Sequence, residues 1–435
     1  KHWEFTMSTK IPTKTSSKLP TNLHAIASAS YPPKSPHPIL NLGFRVFFVG
    51  ASVFAIITMG LWLALLQGWI DFTLTAFTPF MWHAHEMIFG YALAVIAGFL
   101  LTAVKTWTNQ PMPYGWRLFA IFLPWALARL TWACLPQLSS DITAIGLRLA
   151  SGLDILWWSL VCVAVFTPII RVRQRRQIGI LAKLALLWLA FVIFAIGAWR
   201  SDIAWQKTGV YLAFYLIIGV VLTIGRRVMP MFISNGINHH LPKNAPKVEL
   251  KNAVWVDRVS LFGFLAFMLA DLCGQPVIAS LFALVTALAN GYRLMGWYHS
   301  GMWGKPLVWS LFVAFGGMVV ALGLFAVLPW AGFAHSFAVH TLALSGIGVM
   351  TLSMMSRVSL GHTGLSVHEP PKLVGVILTL MVVTMVTRGL LPIVLPAYYT
   401  QLLTVSQVLW LISFILFLCV YLPILSKPRK DGLFG

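Results

Sequence analysis

Long apolar runs that follow one another with short breaks constrain this chain more than any other sequence feature. A helix that crosses a bilayer needs about 20 consecutive, mostly apolar residues. Only 10% of the 435 residues are charged, whereas an average soluble domain has about 25%. The sequence therefore predicts an all-α, polytopic integral membrane protein with about twelve transmembrane helices. The runs lie at roughly 44–66, 79–104, 116–135, 146–170, 179–199, 206–225, 255–274, 276–293, 306–329, 333–356, 373–394 and 401–424.

The positions of the basic residues predict the orientation of the chain in the membrane. When the N-terminus is placed inside, 26 of the 31 Lys and Arg residues fall in inner segments. This bias is typical of cytoplasmic loops that face anionic lipid. It predicts that the N- and C-termini are cytoplasmic. In a soluble protein a net charge of +20 would suggest nucleic-acid binding, but the distribution of the basic residues here disfavours that interpretation. We therefore predict a flexible basic cytoplasmic tail at 1–40, a transmembrane domain at 41–425 and a short basic cytoplasmic tail at 426–435.

The wide spacing of the cysteines and the absence of common catalytic motifs from the sequence exclude several classes of protein. The four cysteines are far apart, and each lies in an apolar run without a CxxC pair, where cysteine usually behaves as a small apolar residue. The P-loop, GxSxG, HExxH and GxGxxG patterns do not occur in the sequence. Nucleotide hydrolysis and serine or zinc hydrolysis therefore have no support.

A few ionisable side chains occur inside the apolar runs, where burying them is costly and where they usually have a function. The predicted topology places seven of them in the outer third of the membrane, whereas Asp257 and Asp271 lie near the two ends of the seventh run. Neutral imidazole is the commonest metal ligand, and it binds copper and haem iron. The sequence therefore predicts a metal or haem site near the periplasmic face. The residues concerned are His83, His85, Glu86, Arg129, Asp154, His335 and His340.

Helical spacing limits how these residues act together. His83 and His85 are two residues apart, so they point about 200° apart on a regular helix and cannot both bind one metal ion. They could do so if the helix began after His83, or they could serve two centres. His83 and Glu86 share one face, whereas His335 and His340 share a face only loosely.

Other interpretations of the same residues stay open. A single histidine in a membrane often hydrogen-bonds a neighbouring helix, and Glu86 with the histidines could relay protons. Arg129 and Asp154 are most simply a buried ion pair, although Arg129 could instead bind a haem propionate. A second class of function is a proton-coupled transporter that uses Glu86, Arg129 and Asp154. A third is a metal sensor or assembly factor without turnover, and the sequence does not settle whether the protein is an enzyme.

Another motif lies at the inner end of the tenth run, where the sequence RVSLGHTG occupies residues 357–364. Anchoring of the helix end by Arg357 is the simplest interpretation. Gly361 and Gly364 suit a turn after the helix. His362 lies beside this predicted turn, where it binds either a metal or solvent.

Four stretches resemble the NnrS family of bacterial inner-membrane proteins, over roughly residues 44–364. They are FRVFF at 44–48, WHAHEMIFG at 82–90, GFLLTAV at 98–104 and RVSLGHTG at 357–364. The resemblance implies haem and copper as cofactors, and a part in nitric oxide metabolism, denitrification or resistance to nitrosative stress. Membrane lipid, nitric oxide or a related small molecule, and an unidentified electron donor are the implied partners.

The resemblance also assigns roles to particular positions, which we combine with the outer cluster. Position 312 is Phe, where the family often has His, so one centre is altered or absent here if that His is a ligand. The predicted cofactor-binding residues are His83, His85, His340, Arg129 and Arg357. The predicted metal ligands are His83, His85, Glu86, His335, His340 and His362.

Overall fold

The structure is a bundle of twelve long helices. It is a computed structural model that describes residues 37–72, 76, 78–137, 140–239, 241–242, 244–250 and 253–435. The predicted tail at 1–40 therefore lies, up to residue 36, outside the described residues. The helices are α1 Gly43–Leu66, α2 Pro79–Thr108, α3 Trp116–Cys134, α4 Ser140–Arg171, α5 Ile178–Trp199, α6 Ile203–Asn238, α7 Val254–Leu272, α8 Pro276–Trp297, α9 Pro306–Ala331, α10 His335–His362, α11 Leu373–Val394 and α12 Tyr399–Leu425.

Eleven helices in the described part of the chain are long and apolar enough to cross a membrane, which confirms a polytopic membrane protein. The twelfth, α7, differs because it contains Asp257, Arg258 and Asp271. The carboxylate of Asp257 pairs with Arg226 of α6 at 2.5 Å and with Arg293 of α8 at 2.7 Å. Because the Asp257 carboxylate is paired with an arginine on each neighbouring helix, α7 packs between α6 and α8 as a member of the bundle.

Two helices extend further at their inner ends than the apolar runs predict. The run predicted to end at 225 continues through Pro230 to the end of α6 at Asn238. This extension is held by tertiary contacts, since the Lys305 Nζ donates to the Gly236 carbonyl at 2.6 Å. The run predicted to end at 356 continues to His362, so RVSLGH is helical and the turn begins after it, with Gly364 at φ +76°.

Three helices, α2, α6 and α10, form the centre of the bundle. In the most apolar window of each, 83%, 67% and 67% of the residues are buried, against 33% in α3 and α12. A helix that is apolar on all sides and buried on all sides belongs in a protein interior. The histidines on α2 and α10 are therefore carried by central helices and not by lipid-facing ones.

Three segments of π-helix interrupt the regular helices. They are Glu86–Ala92 in α2, Leu344–Val349 in α10 and Val386–Leu390 in α11. The segment in α10 packs against α9 and α11. Because π-helical turns are rare and frequently occur at functional sites, they indicate that the volume between α2, α10 and α11 is the first place to look for a site.

Candidate functional site

A cavity of 450 Å³ lies in the half of the bundle that the predicted topology places toward the periplasm, and we call it the outer cavity. Most of its lining is apolar or aromatic, including Trp62, Phe214 and Trp410. Two imidazoles and one guanidinium interrupt this lining, and they belong to His83, His340 and Arg388. Binding sites for small molecules and cofactors usually have this composition and a volume of about 300–1,000 Å³.

The imidazole of His340 has a defined hydrogen-bonding pattern. Its Nδ1 is 2.7 Å from the backbone carbonyl of Ser336, so Nδ1 carries the proton and donates. Its Nε2 then carries a lone pair, to which the Arg388 Nη2 donates at 3.3 Å. A histidine that binds a metal through Nε2 usually has this same Nδ1–H bond to a carbonyl, which sets the ring orientation.

The imidazole of His83 is held by stacking. Its ring lies against the indole of Trp62, with centroids 4.6 Å apart and planes 10° from parallel. Within the described residues, the His83 Nδ1 is buried without a hydrogen-bond partner, and so is the Arg388 Nη1. Buried polar atoms are normally paired, so these two atoms are the ones in the cavity wall that a bound molecule could pair with.

Arg388 is the residue that the sequence interpretation missed. It is the single charged residue in the predicted run at 373–394, near the end that the predicted topology places outside. The structure places it on the π segment of α11, in the lining of the outer cavity. His83 and His340 line the same cavity, and the Arg388 Nη2 donates to the His340 Nε2, so all three side chains belong to one site.

His85 and Glu86 belong to a different group on the opposite side of α2. Because α2 begins at Pro79, with the Thr78 hydroxyl accepting from the Met81 N–H, both histidines lie on one helix and point apart. The His85 ring contacts Trp132 and Phe194, with centroids 4.3 Å and 4.5 Å away. The structure therefore does not bring His85 into the outer cavity with His83.

Four buried side chains form this second group, which we call the charge network: His85, Glu86, Arg129 and Asp154. The Arg129 Nη1 donates to the Glu86 Oε1 at 2.7 Å, and its Nη2 donates to the Asp154 Oδ1. The His85 Nδ1 lies 2.7 Å from the same Glu86 oxygen. The predicted ion pair of Arg129 with Asp154 is confirmed, and Glu86 is an additional partner.

The remaining predicted site residues lie apart from the outer cavity. His335 is near Asp271, with Nε2 and Oδ1 3.6 Å apart. The guanidinium of Arg357 lies 4.0 Å from the ring centroid of Phe232. From His340 to His362 the helix runs roughly 33 Å, so His362 cannot share a site with His340. Their assignments as ligands stay predictions.

Two further observations concern metal binding. In the described part of the chain, no group of three or more His, Cys, Asp and Glu side chains could hold a single metal ion. Phe312 packs against the rings of Tyr298 and Trp303, with centroids 6.0 Å and 6.3 Å away. It does not line the outer cavity, so the absence of a histidine there leaves His83 and His340 in place.

Comparison with known proteins gives the chain a family. A family model described as NnrS protein matches residues 38–429, which is most of the chain. A search of curated proteins found no match. The match covers all twelve helices and both groups of buried ionisable residues described above. The chain belongs to the NnrS family.

Proposed function

We propose that this protein binds haem in the outer cavity and acts there in the bacterial response to nitric oxide. One observation carries the proposal: imidazoles from two central helices, α2 and α10, line the same largely apolar cavity. Imidazole nitrogen also binds copper. His83 and His340 would therefore supply either both axial ligands of one haem or one ligand each to a haem and a copper ion.

The residues present suit such a cofactor. Haem needs an imidazole ligand, apolar walls for its macrocycle and a cation for its carboxylates. His340 presents Nε2 as the atom that would bind the metal. Arg388 has an unpaired Nη1 that would pair with a carboxylate. The rings of Trp62 and Trp410 supply apolar wall.

The side chains around the cavity have separable roles. The carbonyl of Ser336 orients His340 and fixes its tautomer, and the indole of Trp62 orients His83. The apolar lining excludes water, which strengthens the electrostatic effect of Arg388 inside the cavity. Haem iron with one open axial position binds nitric oxide, whereas bis-histidine ligation favours electron transfer.

The charge network lies on the side of α2 away from the outer cavity, and it holds that helix in place. It ties the start of the π segment in α2 to α3 and α4, through bonds from Arg129 to Glu86 and Asp154. None of these three residues lines the outer cavity. Their mutual pairing supports a structural role, and it gives no support to the proton-coupled transporter that is the alternative function.

A comparison of three histidine variants tests the proposal. We expect His83→Ala and His340→Ala to lose the haem absorption band or bound metal, because each removes one imidazole from the cavity. His299→Ala is the control, since His299 lies in the loop after α8, outside the cavity lining and not among the predicted ligands. The measurements are an absorption spectrum and metal analysis of each purified variant.

Folding is checked in the same samples by size-exclusion elution and thermal unfolding. Loss of cofactor in a variant that elutes and unfolds like the wild type supports direct ligation. Full retention of cofactor in both His83→Ala and His340→Ala would contradict the proposal. A colourless, metal-free wild-type protein would favour the transporter.

A further inference from the structure

A second, smaller cavity lies deeper in the bundle, and we call it the inner cavity. Its volume is 70 Å³, and Thr351 is the one residue in its lining with a hydroxyl, amide or charged side chain. The rest of its wall is aliphatic, aromatic or thioether. The lining consists of Phe48, Val95, Ile96, Phe99, Val220, Val221, Ile224, Gly225, Val228, Met229, Met350, Thr351 and Met354.

The two cavities are adjacent along α10. Ile347 and Gly348 line the outer cavity, and Met350 and Thr351 line the inner one. Tyr91 lines the outer cavity, and its hydroxyl hydrogen-bonds the Thr351 Oγ1 at 2.8 Å. At this point the cavities are therefore separated by a partition of two side chains, Tyr91 and Thr351.

The inner cavity is not sealed from its surroundings. Lining side chains on α2, α6 and α10 are only partly buried; these are Phe99, Val221, Ile224, Val228 and Met354. All three helices are long and apolar enough to cross the membrane. Four of these five side chains, all but Val228, fall in the predicted apolar runs at 79–104, 206–225 and 333–356. We therefore expect the open side of the cavity to face lipid hydrocarbon near one end of these runs.

The lining determines what the inner cavity can hold. A buried water needs 2–4 polar partners, and apolar cavities of similar size stay dry and take up xenon. An ion would be left without compensation at this depth. We propose that the inner cavity admits a small, neutral, apolar molecule from the lipid and passes it across the Tyr91–Thr351 partition to the outer cavity. The part of this inference in which the molecule reaches a binding site in the outer cavity rests on the proposed function of that cavity.

Xenon is a direct probe of the inner cavity, because it is apolar and needs no cofactor. We expect crystals of the full chain under xenon pressure to show a xenon atom beside Val220 and Met350. Val220→Phe should fill the space and abolish this occupancy. Val163→Phe is the matched control, since Val163 is 63% exposed and lines neither cavity. An inner cavity without xenon in the wild type would overturn the proposal.

The passage itself is tested by the association rate of carbon monoxide with the reduced protein after flash photolysis. We expect Val220→Phe to slow this rate severalfold without changing the absorption spectrum, because Val220 does not line the outer cavity. We expect Tyr91→Phe to raise the rate, because it removes the hydrogen bond to Thr351. Equal rates for Val220→Phe and Val163→Phe would overturn the proposed passage between the cavities.

Gly225→Ala is a milder second variant, because an added Cβ lies 3.6 Å from the Met229 sulfur, an ordinary contact. A wild type without cofactor contradicts only the proposed function, and xenon occupancy still decides this inference.

Discussion

At the scale of single residues, one guanidinium determines whether two buried carboxylates are tolerated. Arg129 is 4% exposed, and Glu86 and Asp154 are each 1% exposed. Removing one partner of a buried pair is strongly destabilising because it leaves an uncompensated charge. Both carboxylates therefore share one buried guanidinium, while the Trp132 Nε1 also donates to the Asp154 Oδ2 and the His85 Nδ1 contacts the Glu86 Oε1.

We expect Arg129→Ala to lower the free energy of unfolding by about 3–5 kcal/mol, because it leaves both carboxylates buried without a cation. The measurement is thermal or denaturant unfolding in detergent. Adding Asp154→Asn should recover part of the loss, and adding Glu86→Gln as well should recover more, since both carboxylates bond the guanidinium. A triple variant no more stable than the single one would show that the pairing is wrongly assigned.

Sequence could predict some of these residues and not others, for physical reasons. The pair of Arg129 and Asp154 is predictable because charges inside apolar runs are rare and must be matched. Helical spacing predicts that Glu86 shares a face with His83, whereas the structure pairs the Glu86 carboxylate with Arg129 and His85, away from the outer cavity. Arg388 was missed because a charge near the end of a run looks the same whether it faces lipid headgroups or a cavity.

At the scale of the helices, the π segments determine where the site lies. Arg388 and Gly389 belong to the π segment of α11, and Gly389 contacts Thr341, the residue that follows His340 on α10. A Cβ added at Gly389 would meet the Thr341 side chain and lie 3.1 Å from its Cα. This glycine therefore sets how closely the helices that carry His340 and Arg388 approach each other.

We expect Gly389→Ala to push α11 away from α10 and to destabilise the protein by about 1–3 kcal/mol, as overpacking does. The absorption of any bound cofactor should change as well, because Arg388 moves relative to His340. Thermal unfolding and the absorption spectrum are the measurements. The matched control is Gly60→Ala in α1, where an added Cβ meets no heavy atom within 4 Å. Equal unfolding temperatures for the two variants would contradict the expectation.

At the scale of the whole molecule, most of the fold could be predicted because lipid imposes a simple rule: long apolar runs become helices. All twelve predicted runs correspond to helices of the bundle. The positions of the inner ends could not be predicted, because the ends of α6 and α10 depend on contacts such as that of Lys305 with Gly236. The central placement of α2, α6 and α10 is also a result of packing, which apolar runs do not encode.

The predicted orientation, with both termini in the cytoplasm, depends on α7. An even number of crossings returns the chain to the side on which it began. Of the twelve helices in the described part of the chain, α7 is the one that falls outside the eleven long and apolar enough to cross, because Asp257, Arg258 and Asp271 all lie within its 19 residues. Its Asp257 is matched by Arg226 and Arg293, so we expect it to cross. The bias of 26 of the 31 basic residues toward inner segments agrees with twelve crossings and not with eleven.

Reporter fusions on either side of α7 test this expectation. Alkaline phosphatase, which is active only outside the cytoplasm, should be inactive when fused after Leu250 and active when fused after Gly274. A fluorescent protein fused through a linker after Gly435 should fluoresce, because that end is expected in the cytoplasm. A fusion after Gly68, in the loop between α1 and α2 and therefore upstream of α7, is the control and should have active phosphatase. If the fusions after Leu250 and Gly274 gave the same result, α7 would not cross. The two ends of the chain would then lie on opposite sides of the membrane.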